Sequence, residues 1–220
     1  MFDRLANQWL QRPLQAAGQR LVTLGVGADA VTLTGFAIGM AAALAIALQQ
    51  PLAGLALLLI SRVCDGLDGA VARLTQPTDR GAYLDITLDF LFYAGVPLAF
   101  AIADPPANAL AAAVLLAAFI GTGSSFLAFA ALAAKRGLTN IEHPHKGLYY
   151  LGGLTEAGET LACFALMCLW PAQFSLWAYG FALLCVLTTI TRIVGGARTL
   201  GRQVGPDAAT EDRQHHQGPR

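Results

Sequence analysis

The sequence predicts an all-α integral membrane protein, with six transmembrane helices preceded by an amphipathic helix at the membrane surface. Composition is the first reason, because 55% of the 220 residues are hydrophobic and 13% are charged, about half the charged fraction of a typical soluble domain. The second reason is that the apolar residues form stretches of about twenty, long enough for a helix to cross roughly 30 Å of hydrocarbon. No alternating strand pattern competes with these stretches, so helices are favoured over a barrel.

The N-terminal segment, residues 1–21, has the pattern of a helix that lies in the membrane interface. Apolar residues recur at helical spacing, with three arginines among them: Phe2, Leu5, Trp9, Leu10, Leu14, Ala17 and Leu21, and Arg4, Arg12 and Arg20. We expect Pro13 to bend this helix. Its charged residues interrupt the apolar run that a cleavable signal peptide needs, so none is expected. The alternative is an ordinary cytosolic lead-in.

Six apolar stretches follow. We assign the spans to residues 31–49, 52–72, 84–103, 108–134, 148–170 and 174–195. The fourth is longer than a crossing requires and should extend beyond the membrane. From residue 201 the chain is polar and contains Pro and Gly. We therefore expect a membrane domain over residues 1–200 and a disordered cytoplasmic tail over residues 201–220.

The basic residues predict the orientation of this bundle. With six spans, all 14 lysines and arginines fall at the end that holds both termini and the connections between spans two and three and spans four and five. The opposite connections, QQP, DPPA and PAQF, hold none. Since positive residues remain on the cytoplasmic side, both termini and the acidic connection over residues 65–89 should be cytoplasmic.

Four carboxylates lie at the cytoplasmic edge of the second and third spans. Asp65 and Asp68 are three residues apart at the end of the second span. Asp85 and Asp89 are four apart at the start of the third. Both spacings place the pair on one helix face. A short connection with Pro77 as a helix breaker returns the chain, so the four carboxylates should converge.

Convergence of four carboxylates predicts a metal site. An ionised Asp in hydrocarbon costs roughly 3 kcal/mol, a cost that a divalent cation would offset. Hard oxygen ligands suit Mg²⁺, Mn²⁺ or Ca²⁺, and two ions sharing carboxylates would clamp both sides of a phosphoryl displacement. The alternative is that each carboxylate pairs with a neighbouring arginine, for which Arg62, Arg73 and Arg80 are available.

Small residues accompany the first two aspartates. Gly69 and Ala72 continue the helix face of Asp65 and Asp68, so a bulky ligand could approach the backbone there while its phosphates reach a metal ion. The alternative is close packing between helices. That explanation suffices for Gly35 and Gly39 in the first span.

Together these positions form the pattern Asp65-x2-Asp68-Gly69-x2-Ala72-Arg73-x7-Gly81-x3-Asp85-x3-Asp89. The pattern resembles the signature of the CDP-alcohol phosphotransferase family, integral membrane enzymes of phospholipid synthesis, and all eight fixed positions are present. The segments EHPHKGLYYLGGLTEAGET and GTGSSFLAFAALAAK are similar to those of a bacterial inner-membrane subgroup of this family. The resemblance therefore implies a bacterial inner-membrane enzyme.

The resemblance also implies the roles of the acidic residues. Asp65, Asp68 and Asp85 would be the principal ligands of two Mg²⁺ ions, with Mn²⁺ as a substitute. Asp89 would complete the metal site and act as general base on the acceptor hydroxyl.

In the same resemblance, the donor is a CDP-linked alcohol whose diphosphate bridges the metal ions. Asp65, Gly69 and Ala72 would contact its nucleotide, and Arg73 would contact its phosphates. A threonine at the start of the first span would lie near the nucleotide; Thr32 and Thr34 are both available, and Thr34 is the predicted contact.

The resemblance implies two possible pairs of donor and acceptor, between which the size of the chain favours one. Its six predicted spans fit the branch of the family that transfers a phosphatidyl group from CDP-diacylglycerol to a small polar alcohol and releases CMP. Glycerol 3-phosphate is the leading acceptor; serine, inositol and inositol phosphate are alternatives. The other branch, which transfers a phosphoalcohol from a soluble CDP-alcohol to a lipid, stays open.

A cationic pocket for a phosphorylated acceptor would draw on five basic residues: Arg80, Lys135, Arg136, Lys146 and Arg192. Arg192, the deepest, is the strongest of these candidates. The alternative is that they are ordinary cytoplasmic charges. Glu156 and Glu159 share a helix face near the fifth span, where they could pair with Lys146 or with His143 and His145.

A transporter and a non-catalytic scaffold are the two other classes of function that the sequence could serve. A transporter would place charges near the bilayer midplane and usually contain repeated halves, whereas these acids cluster at one edge. A scaffold that binds the donor without catalysis is the second, and the intact aspartates argue against it. The resemblance implies a homodimer surrounded by membrane lipids, and no nucleic-acid partner is expected.

Overall fold

The computed structural model describes residues 2–137 and 155–201, with side chains described from residue 12 onward. In these ranges the chain is helical. Its elements are α1 (Phe2–Thr23), α2 (Ala28–Ala47), α3 (Pro51–Leu74), α4 (Asp79–Ala103), α5 (Pro105–Lys135), α6 (Ala157–Leu169), a 3-10 turn (Pro171–Gln173) and α7 (Phe174–Gly201). The predicted all-α class is therefore confirmed over the described residues.

Helix boundaries follow local chemistry that is visible in the sequence. α3 and α5 begin with Pro51 and Pro105, which suit the first turn because its N–H groups need no helical partner. The Thr78 hydroxyl caps α4 by accepting a hydrogen bond of 3.0 Å from the Gly81 N–H. This cap fixes the start of α4, so Asp85 and Asp89 fall in its second and third turns.

Within residues 2–137 and 155–201, four helical segments are long and apolar enough to cross a membrane: Ala28–Ala47, Asp79–Ala103, Pro105–Lys135 and Pro171–Gly201. α3 has 24 residues but carries four charged side chains from its middle onward: Arg62, Asp65, Asp68 and Arg73. α6 has 13 described residues. Part of the predicted span over residues 148–170 lies outside the described residues, so the count of six stays a prediction.

The N-terminal segment is helical, as α1, and contains Pro13 within the helix. It packs against α3 where small residues meet. A Cβ added at Gly18 would lie 3.2 Å from the Ala70 Cβ, and one added at Gly66 would lie 3.1 Å from the Leu14 Cδ1. α1 is thus held against the helix that carries Asp65 and Asp68, while its place at the membrane surface stays a prediction.

Three helix connections meet at one end of the bundle. The Gln49 Nε2 donates to the Ala103 carbonyl over 2.9 Å, and the Ser175 Oγ donates to the Ala107 carbonyl over 2.9 Å. Phe100 and Phe174 stack with ring centroids 4.7 Å apart. At the other end, where the acidic residues lie, the Arg136 guanidinium bonds to the Leu200 carbonyl.

Two glycines of α2 let it approach α3 and α4 closely. A Cβ added at Gly35 would lie 2.9 Å from the Cys64 Cβ. One added at Gly39 would lie 2.7 Å from the Phe92 ring and 2.9 Å from the Ser61 Oγ. The prediction of close packing at these two positions is confirmed, and the contact holds α2 against the helices that carry the four aspartates.

Candidate active site

Three carboxylates converge between α3 and α4. Asp65, Asp68 and Asp85 each offer an oxygen, and these oxygens lie within 4.8 Å of one another. Asp68 is buried at 7% exposure, and its Oδ2 has no hydrogen-bond partner among the described residues. A buried carboxylate oxygen without a partner is costly, so the cluster suits a cation. Its ligand atoms are all hard oxygens, which fit Mg²⁺ or Mn²⁺.

The cluster forms one wall of an open pocket. Its lining comes from three helices: Thr32, Gly35 and Phe36 of α2, Ser61, Arg62, Asp65 and Asp68 of α3, and Asp85, Leu88 and Asp89 of α4. The four aspartates predicted from the sequence therefore share one pocket.

Asp89 is not one of the three clustered carboxylates, and an arginine contacts it. The Arg62 Nη1 donates to the Asp89 Oδ1 over 2.8 Å and to the Asp65 Oδ1 over 3.4 Å. The Arg62 side chain is 15% exposed, and its Cζ lies 4.1 Å from the centroid of the Phe92 ring. Of the two predicted ligands that contact Arg62, Asp89 thus has the shorter hydrogen bond.

Arg62 was absent from the predicted site residues, although the sequence offered it as a pairing partner. The signal that points to it is its spacing, three residues before Asp65, which places both side chains on one face of α3. Three of the four carboxylates therefore cluster as the spacing predicts, and Asp65 and Asp89 both pair with Arg62.

The predicted donor-binding residues continue along α3 from the acidic cluster. A Cβ added at Gly69 would lie 3.3 Å from the Arg73 Nη1, so this guanidinium covers the glycine. Arg73 is exposed and Ala72 is half-buried. Gly69 and Ala72 therefore form a surface of small residues next to the carboxylates, and the long cationic side chain of Arg73 lies over it.

The threonine selected from the sequence does not line the pocket. Thr34 is exposed, and its hydroxyl donates to the Ala30 carbonyl over 2.7 Å, whereas Thr32 lines the pocket. The reason is helical phase, because residues two apart point about 200° away from each other around the axis. Thr32 replaces Thr34 as the candidate for donor contact.

The basic residues predicted to bind the acceptor differ in their surroundings. The Arg80 Nε lies 3.3 Å from the Asp29 Oδ2 in an ion pair whose arginine is 77% exposed. Lys135 and Arg136 are exposed at the end of α5, and Arg136 bonds to the Leu200 carbonyl. Lys146 lies outside the described residues. The surface pair is worth little energetically, so Arg80 remains available to a ligand.

Arg192 differs from the other basic candidates because it is buried, at 8% exposure, between α7 and α5. Its Nη1 donates to the Thr122 carbonyl over 3.1 Å, and its Cζ lies 5.6 Å from the centroid of the Phe126 ring. A buried guanidinium near the acidic end of the bundle is the strongest described candidate for binding an anionic group.

Glu156 and Glu159 form the start of α6. The Glu156 side chain accepts from the backbone of the third helical residue, and the Glu159 Oε2 accepts from the Glu156 N–H over 3.2 Å. This reciprocal arrangement is a capping box. The partners expected from the sequence, His143, His145 and Lys146, lie outside the described residues.

The family model for CDP-alcohol phosphatidyltransferase matches residues 26–194, and the chain belongs to this family of transferases. A relative is the inner membrane protein YnjF of Escherichia coli strain K12. It is 52% identical over 200 residues, which cover 91% of this chain and 97% of that protein. An archaetidylinositol phosphate synthase of Pyrococcus horikoshii is 37% identical over 89 residues, which cover 40% of this chain and 47% of that enzyme.

The fold is shared with solved structures. The phosphatidylinositol phosphate synthase PgsA1 of Mycobacterium tuberculosis, with CDP-DAG bound, matches with a TM-score of 0.66 at 24% identity, over 84% of this chain and 94% of that one. The same enzyme in complex with manganese and citrate also matches with a TM-score of 0.66, over 87% and 90%.

Proposed function

We propose that this chain transfers a phosphatidyl group from CDP-diacylglycerol to a small phosphorylated alcohol and releases CMP. The observation that carries the proposal is the convergence of the Asp65, Asp68 and Asp85 oxygens within 4.8 Å at one end of apolar helices. At that depth a lipid-linked diphosphate and a water-soluble alcohol can meet. The CDP-DAG bound to the structurally similar synthase supports the choice of donor.

Metal binding is assigned to the three clustered carboxylates, with Asp89 as a further ligand. The proposal is for two Mg²⁺ ions, with Mn²⁺ as a substitute, and the manganese in the similar structure supports a divalent cation. Bound there, such ions supply charge neutralisation to the donor diphosphate and the departing CMP. Gly69, Ala72 and Arg73 would then contact the nucleotide and its phosphates, together with Thr32 in place of Thr34.

Asp89 is the proposed general base, because it lies in the pocket with Asp85 one helical turn before it. It takes the proton from the acceptor hydroxyl as that oxygen attacks the phosphorus bonded to the lipid. A new phosphorus–oxygen bond forms, and the bond between this phosphorus and the CMP oxygen breaks. No covalent intermediate with the protein is required.

The acceptor is proposed to carry a phosphate monoester. Glycerol 3-phosphate is the first guess from the sequence, and inositol phosphate fits as well, since archaetidylinositol phosphate synthase is among the relatives. Both would present an anionic group to a cationic pocket in which Arg192 is the buried member. Serine, unphosphorylated inositol and a soluble CDP-alcohol donor are the alternatives.

The membrane arrangement is part of the proposal. We place six spans in the bacterial inner membrane with both termini and the acidic pocket on the cytoplasmic side, α1 at the interface, and the chain as a homodimer. The name of the relative YnjF supports the inner membrane. The packing of Phe174 on Phe100 supports an α6 that returns to the end where α4 terminates.

CMP release tests this function. Purified protein receives CDP-diacylglycerol and Mg²⁺ with glycerol 3-phosphate, inositol phosphate, inositol or serine in separate reactions, each repeated with EDTA. CMP formed with one phosphorylated alcohol, and lost with EDTA and in Asp89→Asn, is the expected result. The control is Asp104→Asn, because Asp104 caps α5 at the opposite end and asparagine also caps well. Donor binding without turnover on any alcohol would indicate a non-catalytic scaffold instead.

A further inference from the structure

We propose that Arg62 is a built-in counter-ion, which holds Asp89 in place while the acidic cluster contains no metal ion and which weakens cation binding there. The inference rests on the proposed metal site, although the ion pair itself does not. Arg62 Nη1 bridges Asp65 on its own helix and Asp89 on α4, over 3.4 and 2.8 Å. The pair therefore joins the two helices that supply the carboxylates.

The guanidinium is held by a rigid support. Its Cζ lies 4.1 Å from the Phe92 ring centroid, a distance at which the cation is attracted to the ring face. Phe92 is 1% exposed and packs edge-on against Phe164, with centroids 6.3 Å apart. Gly39 of α2 also packs against the Phe92 ring, since a Cβ added at Gly39 would lie 2.7 Å from it. Phe92 thus fixes the position of the charge beside the carboxylates.

The hydrogen bonds of Arg62 favour a role in the site over a role in packing. Its Nη1 serves both carboxylates and its Nη2 lies 3.4 Å from the Ser61 Oγ, while its buried Nε has no hydrogen-bond partner in the described ranges. A buried arginine that only supports the fold would normally satisfy this donor. The Arg62 guanidinium is instead placed so that it donates hydrogen bonds to the Asp65 and Asp89 carboxylates.

The positive charge of Arg62 should affect both the stability of the metal-free protein and the affinity for a cation. Four carboxylates share the pocket with a single half-buried guanidinium, so removal of Arg62 increases the repulsion between Asp65 and Asp89 in the metal-free protein. The same removal takes away a positive charge that opposes an incoming cation. Arg62→Met should therefore destabilise the metal-free protein and tighten cation binding, two effects of opposite sign that lost packing alone would not produce.

A double-mutant cycle in detergent with EDTA tests the pair. Thermal unfolding is measured for Arg62→Met, Asp89→Asn and the double variant, with Arg62→Lys as the charge-conserving variant. We expect the double variant to recover at least half of the loss in Tm caused by Arg62→Met. Arg62→Lys should retain most of the wild-type Tm. Arg20→Met, at an exposed arginine of α1, is the matched control and should leave the Tm unchanged.

Binding of Mn²⁺, followed by electron paramagnetic resonance, supplies the second readout. We expect the Kd to fall by about threefold or more in Arg62→Met and to stay unchanged in Arg20→Met. Equal losses of Tm in the single and double variants, or an unchanged Kd, would overturn the counter-ion role. If Arg62→Met does not fold, folding of the double variant supports the proposal, and failure of both overturns it. Absence of Mn²⁺ binding in the wild type would contradict the proposed function, while the cycle in EDTA would still decide the pairing.

Discussion

Ser61 donates a hydrogen bond of 2.8 Å from its fully buried hydroxyl to the Gly35 carbonyl. The bond joins α3 to α2 one helical turn before Asp65, and both partners line the acidic pocket. The contact requires a small residue at position 35, because an added Cβ would lie 2.9 Å from the Cys64 Cβ. The acidic cluster is therefore built on a closely packed helix pair, and changes in that packing should reach the site.

Gly39→Ala is the first test of that packing. The new Cβ would lie 2.7 Å from the buried Phe92 ring and 2.9 Å from the Ser61 Oγ, so one of them must shift. We expect a loss of about 1–3 kcal/mol in stability, measured as a lower Tm in detergent. Turnover should also fall, because Phe92 supports Arg62. Gly180→Ala is the control, since no atom lies within 4 Å of its added Cβ. An equal Tm for both variants would contradict the close contact.

Asp68→Asn tests the metal site. Asp68 is buried and its Oδ2 has no hydrogen-bond partner among the described residues, so an amide there removes a ligand and a buried charge together. We expect Mn²⁺ binding to weaken at least about tenfold and turnover to fall roughly 100-fold. Stability in EDTA should be equal or higher because the buried charge is lost. Asp104→Asn should leave all three measurements unchanged. Full Mn²⁺ affinity in Asp68→Asn would exclude it as a ligand.

Much of this site could be predicted because it depends on local spacing. Asp65 and Asp68 share a helix face by their separation alone, and Pro77 indicates the return that brings Asp85 close. These features need no knowledge of how distant helices pack.

The features that escaped prediction depend on side-chain direction and tertiary packing. Thr32 and Thr34 are both near the start of the first span, and only the rotation of α2 against α3 decides which one faces the pocket. Arg62 could have pointed to Asp65 alone; its bond to Asp89 depends on the position of α4 and on the Phe92 ring beneath it. Sequence spacing does not contain that information.

Arg192→Lys tests the acceptor pocket. The guanidinium donates to the Thr122 carbonyl over 3.1 Å and lies 5.6 Å from the Phe126 ring centroid, and a lysine lacks the planar fork that can bind a carbonyl and a phosphate together. We expect the KM for the phosphorylated acceptor to rise about tenfold with the KM for the donor unchanged. Arg198→Lys, at an exposed arginine in the last turn of α7, is the control. Equal increases in both KM values would indicate a structural role for Arg192.

Accessibility of single cysteines tests the six-span arrangement. Gln49 and Ser175 contact backbone carbonyls near the α4–α5 connection, so the connections at residues 49, 104 and 173 share one end of the bundle, opposite Arg136. In a background without the four native cysteines, we expect cysteines at Gln49, Asp104 and Gln173 to react with an impermeant maleimide on intact spheroplasts. A cysteine at Arg136 should react only after permeabilisation, because in the proposed orientation the basic end faces the cytoplasm. Labelling of positions 104 and 173 from opposite sides would show that the segment ending in α6 does not cross the membrane.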